Sequence, residues 1–397
     1  MKEQRGLILT DSQKATVELN ELDMGFGEAV AKAGGEKINL CIQCGTCSAS
    51  CPYGTRLALR TRQIIRWAQL GFQHKILSNK GLWLCTTCST CVQRCPRDVN
   101  PMEVLISVRS LLTEKGQVPP TVRDALEGVY KYGNPWGISR SKRTEWAKDL
   151  KVRHVSDGEK VELLYFVGCE SSYDPRAQEI ARALVTNLNA SGEDFSILGN
   201  KESCCGNEMY ALGEKGLFSV LVEDNLSLFD QYGINKIVTT SPHCFNAFKN
   251  KYGRKDLAVQ HYTQYFADLI DKAKLKFSKR VEKVVTFQDP CFLGKHNNVY
   301  DEPRKIIENI PGIKFLELQL SKGRSVCCEG GGGRMWVDVP GERATEQRVR
   351  EAVNIGAEIL AVACPFCLLT FEDAVKTTGN EGLIQVMDIN ELIAKAL

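Results

Sequence analysis

The spacing of apolar positions changes along the chain, and each change marks a different kind of structure. Between 14 and 32, Val17, Leu19, Leu22, Met24, Phe26 and Val30 recur at broken helical intervals and predict a packing or docking arm over 1–36. Ile64, Ile65, Trp67, Ala68 and Leu70 predict a helix inside 56–79 that stops at Gly71. A second helix is predicted over 101–112, with Pro101 near its start. These segments make 37–114 a helical unit. Pro119-Pro120 and Gly133-Asn134-Pro135 then interrupt the pattern and predict a connector of short helices over 115–160, anchored by packing of Trp136 and Trp146.

At Val161 the pattern switches. Short continuous apolar runs at 161–167, 195–198 and 236–240 predict strands, and 176–188 and 213–232 predict helices between them. Strand and helix in alternation indicate a parallel sheet. The layout then recurs. Cys169 corresponds to Cys291 at an offset of 122, and Cys204, Cys205, Ser241 and Cys244 correspond to Cys327, Cys328, Cys364 and Cys367 at 123. The expected fold is therefore α+β and multidomain: a helical N-terminal unit followed by two duplicated α/β units, 161–280 and 281–397. In each unit the cysteines fall just past predicted strand ends, where open parallel sheets place their ligand crevice. Packing about a pseudo-twofold would turn both cysteine clefts towards one interface.

Composition narrows the chemistry. Charge is nearly balanced, 51 basic residues against 48 acidic, which excludes a general nucleic-acid role. Arg56, Arg60, Arg62 and Arg66 form a local basic cluster. No apolar run approaches the ~20 residues of a membrane span. The expectation is a cytoplasmic chain, held peripherally on the membrane face only through a partner. Seventeen cysteines, an odd number with two vicinal pairs and no leader, argue against a disulfide framework and for metal.

Two runs carry the most specific signal: Cys41, Cys44, Cys47, Cys51-Pro52 and Cys85, Cys88, Cys91, Cys95-Pro96. Both read C-x2-C-x2-C-x3-C-P, the spacing for paired [4Fe–4S] clusters in which the fourth cysteine serves the neighbouring cluster. Cluster 1 is thus assigned to Cys41, Cys44, Cys47 and Cys95, and cluster 2 to Cys85, Cys88, Cys91 and Cys51. Zinc does not account for two identical runs ending in proline. Cys291, Cys327, Cys328, Cys364 and Cys367 look like one further metal-cluster site assembled from three loops.

Gly330 to Gly333 lack a phosphate-loop signature, and no dinucleotide fingerprint exists, so reducing equivalents must pass through a partner such as a flavoprotein. His243 and His296 stand beside cysteines as candidate hydrogen-bond or proton donors, and Lys295 and Arg334 as candidate attractors of an anionic substrate.

The cysteine runs, Asp289-Pro290-Cys291 with Gly294 to Asn297, Cys327-Cys328 with Gly330 to Trp336, and Cys364 to Cys367 resemble the cysteine-rich CCG-domain iron–sulfur family, specifically the D-type chain of heterodisulfide reductase. The resemblance covers about 38–397. It implies two cubane [4Fe–4S] clusters in the N-terminal unit and a noncubane [4Fe–4S] cluster on Cys291, Cys327, Cys328, Cys364 and Cys367. It also implies reduction or formation of a disulfide of a small thiol or thiol-carrier protein, with flavoprotein, electron-transfer or membrane cytochrome subunits as partners. A transfer-only role, as in larger anaerobic complexes or glycolate/lactate-type oxidases, shares the architecture. Two departures stand out. Ser241 replaces a cysteine, leaving Cys169, Cys204, Cys205 and Cys244 as the ligands of a possible further cluster. Glu329 stands where the family usually has glycine and places a carboxylate at the site.

Overall fold

The computed structural model describes residues 22–54, 60–158, 161–338 and 341–397. Val17 and Leu19 of the predicted arm, and Arg56 of the basic cluster, lie outside them. The arm continues as a short helix, Phe26–Val30, whose Phe26 and Val30 are buried against the helices Thr61–Gln69 and Pro101–Glu114. Met24 does not join them; it is 78% exposed. Thr61–Gln69 buries Ile64, Ile65 and Ala68, whereas Leu70 stays at the surface. Gly71 turns the chain at φ +79°, and a Cβ there would sit 2.4 Å from the Asp23 carbonyl oxygen, so only glycine lets the arm cross. Pro101–Glu114 begins with Pro101 in its first turn and with the Asn100 side chain accepting from the Glu103 N–H at 3.2 Å.

The connector contains helices bounded by the two breaks read from the sequence. Pro119-Pro120 opens a helix of 13 residues, Pro120–Tyr132, because a proline at the first helical position removes only an N–H that would be unpaired anyway. Its Val122 and Val129 join one apolar core with the N-terminal helices and the first sheet. Trp146 is buried with its ring edge-on to Tyr165, 6.3 Å between centroids.

Among the described residues, nine strands build two parallel sheets. The first comprises β1 (Arg153–His154), β2 (Leu164–Phe166), β3 (Ser196–Ile197), β4 (Lys236–Thr239) and β5 (Ala258–His261), in the order β1-β3-β2-β4-β5. The second comprises β6 (Lys283–Phe287), β7 (Ile313–Leu316), β8 (Ile359–Val362) and β9 (Gln385–Asp388), in the order β7-β6-β8-β9. Apart from the added β1, the two orders coincide strand for strand. In each sheet the chain leaves its first long strand to one side and returns on the other. The switch point lies between β2 and β4, registered Leu164 to Ile237, and between β6 and β8, registered Val285 to Ile359. Ligand crevices form beyond the carboxyl ends of such a strand pair. Apolar residues of both sheets share one further core, including Val238, Tyr262, Val285 and Ile389.

His261, at the end of β5, is completely buried, with Nδ1 against the Thr263 hydroxyl and Nε2 against the Thr240 carbonyl. Burial pushes its imidazole down to about 3. A histidine depressed in the fold stabilises fully above its ordinary value near 6.5, and that stability drains as pH falls towards 3. Going from pH 7 to pH 5 is expected to cost about 2 kcal/mol through this residue. The difference in urea midpoint between those pH values should shrink in His261→Gln; an unchanged difference would assign the acid sensitivity elsewhere.

Candidate metal centres

The two N-terminal runs adopt the same winding. In the first, Gln43 (φ +61°) and Gly45 (φ +84°) bracket Cys44; in the second, Thr87 (φ +50°) and Ser89 (φ +63°) bracket Cys88. Left-handed backbone at three non-glycine residues is costly and persists where its surroundings impose it, typically at functional sites. The result is two cavities. Cys41, Cys44, Cys47 and Cys95 line one, together with Arg62 and Arg97. Cys51, Cys85, Cys88 and Cys91 line the other, together with Tyr53 and Met102. Each cavity thus receives three thiols from one run and the last thiol of the other. Among the described residues no three His, Cys, Asp or Glu side chains are gathered as ligands of a single ion would be. A four-iron cluster asks for something else, four thiols spread around a space, and these two cavities fit it. Burial lifts the Cys51 thiol to about 12, a penalty that bonding to metal removes.

The second α/β half collects all five of its cysteines. Cys291 follows β6, Cys364 and Cys367 follow β8 at the switch point, and Cys327-Cys328 arrive on the loop after β7. All five are buried. Their sulfurs form a chain of contacts, Cys291 to Cys327, Cys327 to Cys328, Cys328 to Cys367 and Cys367 to Cys364. Contacts with Cys327 and Cys367 draw the Cys328 thiol down to about 5 despite its burial. The Glu329 N–H donates to Cys327 Sγ at 3.4 Å. This half also touches the N-terminal unit: Cys88, Cys291, Phe292 and Cys327 pack as one cluster, and Cys88 and Cys327 are in direct sulfur contact.

The first half supplies a histidine to the second half's site. His243 Nδ1 lies 2.7 Å from the Glu208 carboxylate, which also accepts the Gly333 N–H at 2.8 Å, and the imidazole contacts Cys364 Sγ. Its ring leans on Phe292 at 4.2 Å and edge-on to Phe366 at 4.8 Å. Burial opposes protonation of this imidazole, but the Glu208 carboxylate prevails and lifts it to about 10. The residue next to Cys244 of the first half thus reaches the cysteines of the second.

The other predicted residues are placed as follows. Lys295 is buried, and its ammonium donates to the Thr90 hydroxyl at 2.8 Å and to the Ser325 carbonyl. His296 Nε2 donates to the Thr87 carbonyl at 2.8 Å, and its ring stacks on Phe292 at 4.2 Å. Both side chains fasten the second half to the Cys88 loop: His296 acts there as a hydrogen-bond donor, and the Lys295 ammonium is engaged by protein oxygens. Arg334 is nearly buried, 3.7 Å from Glu329, with its guanidinium also on the Val337 carbonyl. Glu329 sits at φ +67°, a backbone conformation that favours glycine, and its carboxylate accepts the Ala344 N–H at 2.7 Å. A cleft of about 480 Å³ opens beside Cys328, lined by Glu329, Arg334, Arg343 and Thr370. The glycine run is closely packed against the other two units. A Cβ at Gly332 would lie 2.6 Å from the Cys85 carbonyl oxygen, and one at Gly333 2.2 Å from Leu212 Cδ2.

Cys169, Cys204, Cys205 and Cys244 of the first half are buried together as well. Two functional residues escape a reading of the sequence. Arg143, from the connector, places Nη2 3.7 Å from Cys169 Sγ and 2.8 Å from Glu202. Arg109 is the other. It is wholly buried and donates to the carbonyls of Leu82, Cys85, Ala211 and Gly332, joining all three parts of the chain. A signal for it exists: positions 105, 109 and 112 share one helical face whose other two members are leucines.

Comparison with known proteins agrees with this layout. The cysteine-rich domain model of the CCG family matches residues 163–249 and again 285–372, and a 4Fe-4S dicluster domain model matches 37–99. The D-type chain of the dihydromethanophenazine:CoB–CoM heterodisulfide reductase of Methanosarcina barkeri is 32% identical over 91% of this chain and 94% of its own length. The probable iron–sulfur-binding oxidoreductase FadF of Bacillus subtilis is 34% identical over 81% of the chain, and the EtfAB:quinone oxidoreductase of Syntrophomonas wolfei 33% over 82%. The chain spans about half the length of these last two, 47% and 48%. Among the described residues no helix is long and apolar enough to cross a membrane. With a dicluster region, two CCG repeats and heterodisulfide reductase relatives aligned almost end to end, the chain belongs to the CCG-domain iron–sulfur oxidoreductases, the family of the D-type heterodisulfide reductase chains and the FadF-like proteins.

Proposed function

We propose that the chain carries electrons between a partner redox protein, a flavoprotein or a membrane cytochrome, and a thiol/disulfide couple. Cys41, Cys44, Cys47 and Cys95 hold one cubane [4Fe–4S] cluster, and Cys51, Cys85, Cys88 and Cys91 a second. Cys291, Cys327, Cys328, Cys364 and Cys367 hold a noncubane [4Fe–4S] cluster. The observation that carries this reading is the packing of Cys88 against Cys291 and Cys327, with Cys44 exposed at the far end of the series. When bound, the clusters would supply one-electron transfer and, at the five-cysteine site, an iron able to take a soft thiolate.

The chain's own residues set the conditions for that chemistry. Arg334 and Arg343 line the cleft beside Cys328 with their guanidinium groups paired to Glu329 and to Glu346 and Asp373, and an anionic thiol or disulfide would bind by competing for these two cations. Glu329 orients Arg334. His243, charged through Glu208, holds a proton at Cys364 Sγ, and the rings of Phe292 and Phe366 shield it from water. Arg334→Gln and Arg343→Gln are each expected to raise KM for an anionic disulfide about tenfold, the weight of one ~1.4 kcal/mol contact, with kcat little changed. Unchanged KM in both would show that the cleft does not bind the substrate. A second reading, electron transfer without thiol chemistry, draws support from the relative named as a quinone oxidoreductase. It requires that no thiol or disulfide be turned over while the cubane clusters remain reducible.

A further inference from the structure

The first α/β half lacks one cysteine of the five, yet its remaining four are disposed like those of the complete half. Sulfur contacts run from Cys169 to Cys204, from Cys204 to Cys205 and from Cys205 to Cys244. They reproduce, pair by pair, the contacts from Cys291 to Cys327, Cys327 to Cys328 and Cys328 to Cys367. Ser241 and Cys364 hold the same station. Each caps the helix that follows the third strand of the repeat, Pro242–Asn250 and Pro365–Thr377, and each precedes a proline at the first helical position.

The Ser241 hydroxyl is the informative atom. A serine at a helix N-cap ordinarily accepts an N–H of the first turn. Ser241 makes no such bond, is 1% exposed, and its Oγ has no hydrogen-bond partner. Leaving a buried hydroxyl unpaired costs about 1–3 kcal/mol. A second observation points the same way. Arg143, also 1% exposed, directs its guanidinium at Cys169 Sγ. Glu202 balances its charge and is itself fixed by accepting the N–H groups of Val167 and Gly168, both at 2.9 Å, so the guanidinium is held in place beside the thiol. A donor fixed at that sulfur suits a thiolate bound to iron better than a neutral thiol.

We propose that Ser241 Oγ is the oxygen ligand of an iron–sulfur cluster held by Cys169, Cys204, Cys205 and Cys244, giving the chain a fourth, mixed-ligand centre. The proposal rests on the iron–sulfur reading of the family but not on thiol chemistry in the second half. A hard oxygen donor favours the oxidised iron, so this centre has a lower potential than its all-cysteine counterpart.

The test uses the full chain, purified without oxygen, as wild type, Ser241→Ala and Ser241→Cys. Iron per chain, Mössbauer spectra and a redox titration followed by EPR are recorded for each. Wild type should bind about sixteen irons, four for each of four clusters. Ser241→Ala should lose about four of them, or keep them with altered spectra of one centre, while the signals of the other clusters persist. The near-isosteric Ser241→Cys, which folds if any variant does, should keep its iron and move one potential upwards. About twelve irons in wild type, or spectra and potentials identical in all three proteins, would overturn the assignment. Failure of the thiol reading appears separately, as absence of any thiol effect on the second-half signal, and leaves these outcomes intact.

Discussion

Arg109→Met is expected to lower the stability of the chain by about 4 kcal/mol or more, by leaving four buried carbonyls to compete for other partners at ~1–3 kcal/mol each. Methionine fills much of the space but donates nothing. The carbonyls in question belong to Leu82 and Cys85 of the N-terminal unit, Ala211 of the first half and Gly332 of the second. The residue is entirely buried and lies over the Trp83 ring at 5.4 Å, so water cannot replace it without disturbing the core. Arg109→Lys should recover only a small part, because a single ammonium cannot spread its donors across four acceptors as a guanidinium fork does. Urea unfolding of the reconstituted protein measures the effect, and a loss below about 1 kcal/mol for methionine would contradict the role given to this residue.

Cys327→Ala should have the largest functional effect. Cys327 is where the N-terminal unit and the second half meet: its sulfur contacts Cys88, Cys291 and Cys328, approaches the Thr86 hydroxyl at 3.5 Å and receives the Glu329 N–H. Its removal takes away a proposed ligand and breaks the packing between the second cubane site and the noncubane site. About four irons should be lost, with the two cubane signals retained. Thiol or disulfide turnover should fall well beyond the roughly 10–100-fold typical of changes outside the ligand shell. A variant with full iron and turnover within tenfold would remove Cys327 from the site.

The cysteine positions are legible in the sequence because ligand spacing is a covalent constraint. A C-x2-C-x2-C loop can be wound around only a few centres, and the repeat offset alone sets Ser241 opposite Cys364. The alternation of strand and helix is legible too, since period 2 and period 3.6 differ over a few residues. The order of strands, and hence the switch points, is not, because strand pairing is a tertiary choice. Lys295 and His296 illustrate another limit. They stand a few residues from Cys291, but closeness in sequence does not decide where a side chain points, and both turn towards the Thr87–Thr90 backbone and hydroxyls. Glu208, His243, Glu202 and Arg143 come from four separate segments. Their pairings leave no periodic trace and exist only once the first half has folded and the connector has packed on it. In the connector the Pro-Pro pair marks a boundary, and it is the boundary at which a helix begins.

The central claim is that the second half is a substrate-facing centre at the end of a relay. EPR of the oxidised protein, titrated with candidate thiols at known iron content, tests it most directly. An anionic thiol should produce or alter one signal in wild type, and that signal should be missing in Cys327→Ala while the reduced cubane signals remain. Oxidised spectra that no thiol changes, in a protein carrying its full iron, would contradict the claim and leave electron transfer alone as the function of this chain.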